Sequence, residues 1–399
     1  MNNVPQSVRL HIGIFGDTNA GKSSLFNAVT GSDIAIVSDI PGTTTDSVQK
    51  AMELIPFGAI VLVDTAGLND STALGEQRTE KSQKVLNRVD LALYLIDGST
   101  ISDKSIENYR NFSSKLKNTP HIAVITKNDL STENFADFSA IRISIHQPET
   151  LETLKQAIIQ QLTKISQANQ HKDTLIGDLL PKGSVVLLVA PIDSAAPKGR
   201  LILPQAQLIR DCLDNGCIAC TVTENEISDA LANLKKVDLV VTDSQVFAEV
   251  DKAIPQEIPL TSFSILMARQ KGEISELLEG ISALNSLKNG DKILVSEVCT
   301  HNRTHEDIGQ VKIPAALQKI TGLTLNFDFT AGRDFPDDLT QYALIVHCGA
   351  CMITSKEMQS RITAAKQANI PITNYGLFLA FASGILKRGT KILERATKK

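Results

Sequence analysis

The segment from residue 10 to residue 30, LHIGIFGDTNAGKSSLFNAVT, decides the fold of the first part of the chain. An apolar run, Leu10 to Phe15, leads into the loop Gly16-Asp17-Thr18-Asn19-Ala20-Gly21-Lys22-Ser23, and a helix pattern follows from Ser24 to Thr30. The glycines let backbone N–H groups curl towards a phosphate, and the start of the helix adds positive potential there. This order predicts a phosphate-binding loop in which Lys22 reaches the β- and γ-phosphates and Ser23 binds magnesium.

Two further motifs predict the contacts to magnesium and to the γ-phosphate. Asp64-Thr65-Ala66-Gly67 follows the apolar run Ile60 to Val63. We expect the Asp64 carboxylate to hold magnesium through water and the Gly67 amide to contact the γ-phosphate. Thr44, within Pro41-Gly42-Thr43-Thr44-Thr45-Asp46, is placed to close on magnesium and on the γ-phosphate.

Recognition of guanine is predicted at the ends of two later apolar runs. Thr126-Lys127-Asn128-Asp129 follows Ile122 to Ile125 and is similar to the Asn-Lys-x-Asp motif, with threonine in place of asparagine. Asp129 would accept hydrogen bonds from guanine N1 and N2, and Ser144 fits the last, weaker base motif. Each short motif could arise by chance, but their order and their positions at strand ends predict a GTPase domain.

The predicted nucleotide site therefore draws on several loops. Lys22, Thr44, Asp64 and Gly67 are expected to act in hydrolysis, and the expected magnesium ligands are Ser23, Thr44 and Asp64. The predicted nucleotide contacts are Gly16, Asp17, Asn19, Ala20, Gly21, Lys22, Ser23, Ser24, Thr126, Lys127, Asp129 and Ser144.

Two positions predict slow hydrolysis that depends on a cation. Leu68 stands where Ras-like proteins carry the glutamine that orients the attacking water. Asn19 matches the asparagine that helps to hold potassium in GTPases resembling the tRNA-modification GTPase. The alternative for Asn19 is an ordinary loop residue that bonds its own backbone.

The 399 residues suggest two to three domains, and apolar runs alternate with helical stretches throughout, which predicts an α/β fold. The polar stretch Ser166 to Asp173 is interpreted as a linker. We predict three α/β domains: a P-loop GTPase domain at 1–168, a small βαβ domain at 175–264 and a third domain at 265–399.

Composition argues against some classes of protein. A net charge of −4, 4% aromatic residues and no tryptophan argue against a basic, base-stacking surface, so we expect no nucleic-acid partner. The longest apolar stretch, Val185 to Ile192, is too short to span a bilayer, and the N-terminus lacks the pattern of a signal peptide. We therefore expect a cytoplasmic chain without a membrane partner.

Two half-motifs in the third region predict a metal centre. Cys299-Thr300-His301 follows the apolar run Lys292 to Val298, and His347-Cys348-Gly349-Ala350-Cys351 follows Tyr342 to Val346. The carboxyl ends of parallel strands share one sheet edge, so the half-motifs can converge. Thr354-Ser355-Lys356-Glu357 reads as a capping box, which places Cys351 just before a helix and favours a thiolate.

Three cysteines and a weaker ligand indicate a 4Fe–4S cluster with an exchangeable fourth site. Candidates for that site are His301, His347 and Glu306. A structural zinc site is the rival, and buried cysteines with surface histidines are a further alternative. Cys212, Cys217 and Cys220 are expected to be structural thiols, because Cys212 lies on a predicted helix and the other two on one strand.

A GTPase motif set joined to C-x-H…H-C-x-x-C resembles the hydrogenase maturation GTPase family HydF, with a TrmE/Era-like GTPase domain. The stretches at 196–204, 307–314, 332–336 and 372–376 also look like that family, so the resemblance covers essentially the whole chain. Thr126 and the isolated Cys212 group depart from the family pattern.

The resemblance implies a scaffold and carrier for the di-iron subcluster of iron-iron hydrogenase. Its cofactors would be GTP or GDP, Mg²⁺, K⁺ and a 4Fe–4S cluster that holds a transient di-iron precursor. Its partners would be two radical-SAM maturases and the immature hydrogenase, and its middle domain would form a homodimer. GTP would gate partner exchange. The competing hypotheses are a GTPase that acts on tRNA or the ribosome and carries structural zinc, and a redox enzyme that uses the cluster for electron transfer.

Overall fold

The computed structural model describes residues 5–17, 19–31, 35–38, 49–65, 84–116, 119–130, 138–169, 174–192, 199, 201–298, 308–332 and 334–398. The chain divides into two compact units, Met1–Asn169 and Gln170–Lys399. Parallel strands predominate in the first unit and form both sheets of the second.

The first unit contains a seven-stranded sheet in the order β2-β3-β4-β1-β5-β6-β7. Its first three strands in that order pair antiparallel and the others pair parallel. The strands are β1 Leu10–Gly16, β2 Ala35–Ser38, β3 Gln49–Leu54, β4 Gly58–Asp64, β5 Leu91–Asp97, β6 His121–Thr126 and β7 Ile141–Arg142.

Three helices of this unit bear on the site. They are α1 Lys22–Gly31, α2 Asp103–Lys115 and α3 Pro148–Asn169. Central strands such as β1 and β5 are buried along most of their length, because both of their faces lie under packed side chains. Apolar residues on opposite faces of the sheet form two separate core clusters, one with Ile14 and Leu25 and one with Phe15 and Val61.

The second unit contains two four-stranded sheets in which all pairs are parallel. The first has the order β11-β10-β8-β9, from β8 Val185–Val189, β9 Ile218–Val222, β10 Leu239–Thr242 and β11 Leu260–Ser262. The second has the order β13-β12-β14-β15, from β12 Lys292–Glu297, β13 Asn326–Ala331, β14 Leu344–His347 and β15 Ile372–Asn374.

Helices connect these strands and cover the sheets. They are α4 Leu203–Asp214, α5 Ile227–Asn233, α6 Phe247–Ala253, α7 Phe263–Lys271, α8 Ile274–Ser282, α9 Ile313–Thr321, α10 Ser355–Gln367, α11 Tyr375–Ala382 and α12 Leu386–Lys391. One core cluster runs from Leu187 and Val240 under the first sheet to Ile293 and Phe378 under the second, so the two sheets share a hydrophobic core.

The α/β class and its three sheets confirm the predicted fold, while the domain boundaries at 168, 175, 264 and 265 stay predictions. The interpretation of 166–173 as a linker needs correction, because α3 continues to Asn169; residues 170–173 lie outside the described part. Within the described ranges, no helix is both long and apolar enough to cross a membrane.

Candidate functional site

The phosphate-binding loop connects β1 to α1. Gly16 has a φ of +139°, and a Cβ there would lie 2.2 Å from the carbonyl oxygen of Leu95 on the neighbouring strand β5. Asn19 and Gly21 also have positive φ values, 64° and 79°. The backbone therefore follows a curled path that only a few residue types accept, which explains the glycines of the motif.

Lys22 is held by carbonyl groups of its own loop. Its Nζ donates to the carbonyl oxygens of Gly16 at 2.9 Å and Asp17 at 2.7 Å. Burial lowers the pKa of Lys22, while the nearby Asp64 carboxylate opposes that shift. The ammonium thus lies within the loop that the sequence assigned to phosphate binding.

Two predicted magnesium ligands meet at the start of α1. The Ser23 hydroxyl donates to Asp64 Oδ2 at 3.2 Å, although 41 residues separate them in sequence. The arrangement joins the helix start to the end of β4, and hydroxyl and carboxylate oxygens suit Mg²⁺. Thr44, Gly67 and Leu68 lie outside the described residues.

Asp17 is anchored by two residues that sequence analysis missed. Its carboxylate accepts from the Tyr94 hydroxyl at 3.1 Å and from Asn108 Nδ2 at 3.2 and 3.3 Å. Burial and the Asp17 charge raise the pKa of Tyr94. The signal that could have found this anchor is Tyr94 itself, a hydroxyl within the apolar run Leu91 to Ile96.

The predicted guanine-binding loop adjoins the phosphate loop. The Thr126 hydroxyl lies 2.9 Å from the carbonyl oxygen of Ala20 and 3.2 Å from that of Ile96. Lys127 has a φ of 53°, and its Nζ lies 2.5 Å from Asp97 Oδ2. Thr126, the departure from the usual asparagine, therefore joins the two loops through its hydroxyl.

Asp129 and Ser144 come together on the far side of this loop. Hydrogen bonding to the Ser144 side chain lowers the pKa of the exposed Asp129. The Ser144 amide donates to Thr150 Oγ1 at 3.0 Å, which fixes the segment after β7. An ionised, exposed carboxylate is the acceptor that guanine N1 and N2 require.

The cysteine turn, residues 348–353, begins directly after β14. The Val298 amide donates to Cys348 Sγ at 3.2 Å, and the Cys348 amide donates to the Ser296 carbonyl at 2.9 Å. The residue that precedes Cys299 in the sequence thus contacts the second half-motif. Cys351 is half-buried in the same turn.

Cys348 is 8% exposed, and burial raises its pKa to about 11. The neighbouring Cys351 adds to this shift. The predicted preference for a thiolate at Cys351 stays a prediction. Cys299, His301 and Glu306 lie outside the described residues, and within the described part no three histidine, cysteine or carboxylate side chains form a metal-binding group.

His347 is fully buried, and both of its ring nitrogens have protein partners. Arg361 Nη1 lies 3.0 Å from Nε2, and since a guanidinium only donates, Nε2 accepts. Nδ1 then carries the proton and donates to the Cys348 carbonyl at 2.8 Å. Burial, followed by the Arg361 charge, lowers the pKa of His347 to about 3. In this arrangement neither nitrogen is available to a metal, which argues against His347 as the fourth ligand.

The helix after the cysteine turn is capped as its sequence predicts. Thr354 Oγ1 accepts from the Glu357 amide at 3.1 Å, and α10 begins at Ser355. Cys351 thus lies three residues before the cap.

The remaining described cysteines lie on or beside helix α4 and strand β9. Cys212 is on α4 and fully buried, Cys217 is buried just before β9, and Cys220 is half-buried on β9. Burial raises the pKa of Cys212 to about 12 and also raises that of Cys217. Protonated buried thiols of this kind act as small apolar side chains.

Comparison with protein families divides the chain into three matches. A family described as the hydrogen maturase F dimerization domain matches residues 175–272, and one described as the hydrogen maturase F tetramerization domain matches 275–392. Together these two matches cover more than half of the 399 residues. A family described as 50S ribosome-binding GTPase matches 11–127, so the nucleotide loops belong to a GTPase domain.

The first part of the chain is also similar to curated proteins. It is 37% identical over 166 residues to the tRNA modification GTPase MnmE of Desulfotalea psychrophila, an alignment that covers 38% of this chain and 34% of that protein. With MnmE of Aquifex aeolicus the identity is 33% over 159 residues, again 38% and 34% of the two chains. The chain therefore spans about a third of the length of these relatives.

Among solved structures, the G domain of the T. maritima FeoB iron transporter aligns with 39% of this chain and 99% of that domain. The identity is 22% and the TM-score is 0.29, which is too low to carry an argument about function.

Proposed function

This chain belongs to the hydrogen maturase F family, and from that premise we propose that it is a GTP-binding scaffold and carrier for the maturation of iron-iron hydrogenase. It would assemble the di-iron subcluster precursor and deliver it to the immature hydrogenase. The observation that supports the proposal is the 3.2 Å hydrogen bond from the Val298 amide to Cys348 Sγ, which places the residue before Cys299 in contact with the second half-motif.

The residues present fit a 4Fe–4S cluster held by Cys299, Cys348 and Cys351. A backbone N–H aimed at a sulfur stabilises a thiolate, and Cys348 and Cys351 have the C-x-x-C spacing of cluster ligands. When bound, such a cluster supplies an iron with an exchangeable fourth ligand. His301 and Glu306 remain the candidates for that position, and His347 is assigned to support of the turn.

The nucleotide site is proposed to hydrolyse GTP slowly and to gate the exchange of partners. Ser23, Asp64 and Thr44 would hold magnesium, Asp129 and Ser144 would bind guanine, and Asn19 would help to hold potassium. Support comes from the meeting of Ser23 with Asp64 and of Asp129 with Ser144. Potassium beside the phosphates would add positive charge at the site where a Ras-like glutamine is missing.

The partners are proposed to be a second copy of the chain, two radical-SAM maturases and the immature hydrogenase. The families that match 175–272 and 275–392 are described by dimerization and tetramerization, which supports self-association. A homodimer through the middle domain is the form we propose.

The test is activation of immature iron-iron hydrogenase by anaerobically purified protein. We expect Cys348→Ser to abolish activation and to leave GTP hydrolysis intact, and Lys22→Ala to weaken GTP binding and leave the iron content intact. Cys220→Ser is the matched control, since Cys220 is a half-buried thiol outside the cysteine turn. Full activation of the immature hydrogenase by the Cys348→Ser variant would refute the proposed scaffold function.

A tRNA- or ribosome-directed GTPase with structural zinc is the second candidate, supported by the similarity of the first domain to MnmE. It predicts one zinc per chain, no cluster after reconstitution, and RNA that stays bound through a high-salt wash. Protein that reconstitutes a cluster, holds no zinc and carries no RNA after the wash would eliminate this candidate.

A further inference from the structure

Lys271, the last residue of α7, places a buried ammonium group beneath the cysteine turn. The residue is 1% exposed. Its Nζ donates to three carbonyl oxygens of the turn, those of Ala350 at 2.9 Å, Cys351 at 3.1 Å and Ile353 at 2.7 Å. All three belong to a segment about 80 residues further along the chain.

Burial of a lysine ammonium group costs free energy, so the groups that bind it indicate its role. An ammonium group has three N–H donors, and three carbonyls of the turn match that number. Removal of the charge from water is strongly unfavourable unless such groups replace it. The carbonyl dipoles of the turn therefore point towards Nζ, and the conformation of the turn and the position of the ammonium stabilise one another.

The rest of α7 lies along the same turn. A Cβ on Gly349 would come within 3.3 Å of Ser264 Oγ, near the start of α7. Ala350, between Gly349 and Cys351, has a φ of 56°, which is unfavourable for a residue with a side chain. External hydrogen bonds are needed to hold such a backbone, and Lys271 supplies one to the Ala350 carbonyl itself.

This contact links two segments that the family comparisons separate. Lys271 lies in the segment matched by the dimerization family, 175–272, while the cysteine turn lies in the segment matched by the tetramerization family, 275–392. A side chain from the end of the first segment thus holds the turn of the second.

We propose that Lys271 is a positioning and charge-compensating residue for the cysteine turn, which fixes Cys348 and Cys351 for iron binding and raises the reduction potential of the bound group. The second part of the proposal rests on the proposed 4Fe–4S cluster. Reduction adds a negative charge to the cluster, and a buried ammonium close by stabilises that charge because little water screens it.

Two substitutions separate the hydrogen bonds from the charge. Lys271→Met keeps an unbranched side chain that is one heavy atom shorter, and it removes both the donors and the charge. Lys271→Gln is also one atom shorter; it removes the charge and one donor but keeps two amide N–H donors. Lys319→Met is the matched control, because it makes the same charge change at an exposed lysine on α9 in the same unit.

The first readout uses full-length protein without iron. Hydrogen exchange at the amides of residues 348–353 should speed up by about tenfold in Lys271→Met, less in Lys271→Gln, and stay unchanged in Lys319→Met. Far-UV circular dichroism and exchange in β8 and β10 report whether the variants fold. Unchanged exchange in the cysteine turn of folded Lys271→Met would overturn the positioning role.

The second readout is redox titration of the reconstituted protein followed by EPR. Lys271→Gln should lower the equilibrium constant for one-electron reduction of the cluster by about tenfold, which makes its reduction potential about 59 mV more negative. The control variant should keep the wild-type potential. Equal potentials in wild type and Lys271→Gln would overturn charge compensation. A wild type that binds no cluster would refute the proposed function instead, and the exchange readout would still decide the positioning role.

Discussion

At the scale of single residues, Thr126 shows how a departure from a motif can be accommodated. The usual asparagine of the guanine motif is absent, yet the Thr126 hydroxyl lies within hydrogen-bonding distance of the Ala20 and Ile96 carbonyls. The base loop therefore remains joined to the phosphate loop by a shorter side chain.

Thr126→Val should weaken binding of both GDP and GTP by about tenfold, because the isosteric methyl group cannot donate to either carbonyl. Isothermal titration with GDP measures the change. Thr126→Ser, which retains the hydroxyl, should bind nearly as wild type does. Equal affinities for Thr126→Val and wild type would show that the junction is not needed for nucleotide binding.

Some residue roles could be predicted from sequence and some could not. Lys22, Ser23 and Asp64 belong to local patterns whose chemistry fixes their position. The roles of Lys271, Tyr94 and Asn108 depend on contacts with residues 77 or more positions away in sequence, and no short pattern encodes them. His347 has the right spacing for a ligand, but its buried contacts with Arg361 and the Cys348 carbonyl follow only from packing.

At the scale of elements, a buried ion pair on helix α10 lies beside the end of β14. Arg361 Nη2 lies 3.1 Å from Glu357 Oε1, and the two side chains are 4% and 7% exposed. Arg361 also contacts His347 and lies over the Phe335 ring, 5.0 Å from its centroid. The guanidinium thus connects α10 with the end of β14.

Arg361→Met should lower the opening free energy of β12 and β14 by about 3 kcal/mol, because the Glu357 carboxylate would lose a buried partner. Amide hydrogen exchange in these two strands measures this quantity. The control is Arg210→Met, which breaks the i,i+4 pair with Asp214 on α4, where both side chains are exposed. Such a surface pair should leave stability unchanged. Similar losses in the two variants would contradict this role of Arg361.

The sequence predicts elements well where one pattern dominates. The apolar runs Ile60 to Val63 and Ile122 to Ile125 lie within strands β4 and β6, because short apolar runs that end in motif loops are typical of buried parallel strands. No helical period indicates α7 in the sequence, because six of its nine residues are buried and none is exposed. The antiparallel strand β3 was also missed, because its sequence QKAMEL mixes charged and apolar residues.

At the scale of the whole molecule, we propose that the bound nucleotide affects the cysteine turn. Segments around Thr44 and Gly67 would reorder with the γ-phosphate and bias the packing of the other domains.

Hydrogen exchange of residues 344–353 should therefore differ between the GDP-bound protein and the protein bound to a non-hydrolysable GTP analogue. Lys22→Ala, which weakens nucleotide binding, should abolish the difference. Identical protection of this segment with both nucleotides in the wild type would exclude gating through the cysteine turn.

The central claim is that the GTPase domain and a cluster carrier occur in one chain, and one measurement tests it most directly. Anaerobically purified protein and its Cys348→Ala variant would be analysed for iron, sulfide and zinc, with EPR spectra after reduction. We expect about four iron and four sulfide per wild-type chain, with an EPR signal of a reduced cluster that the variant lacks. Colourless wild-type protein with one zinc per chain and no cluster after reconstitution would contradict it.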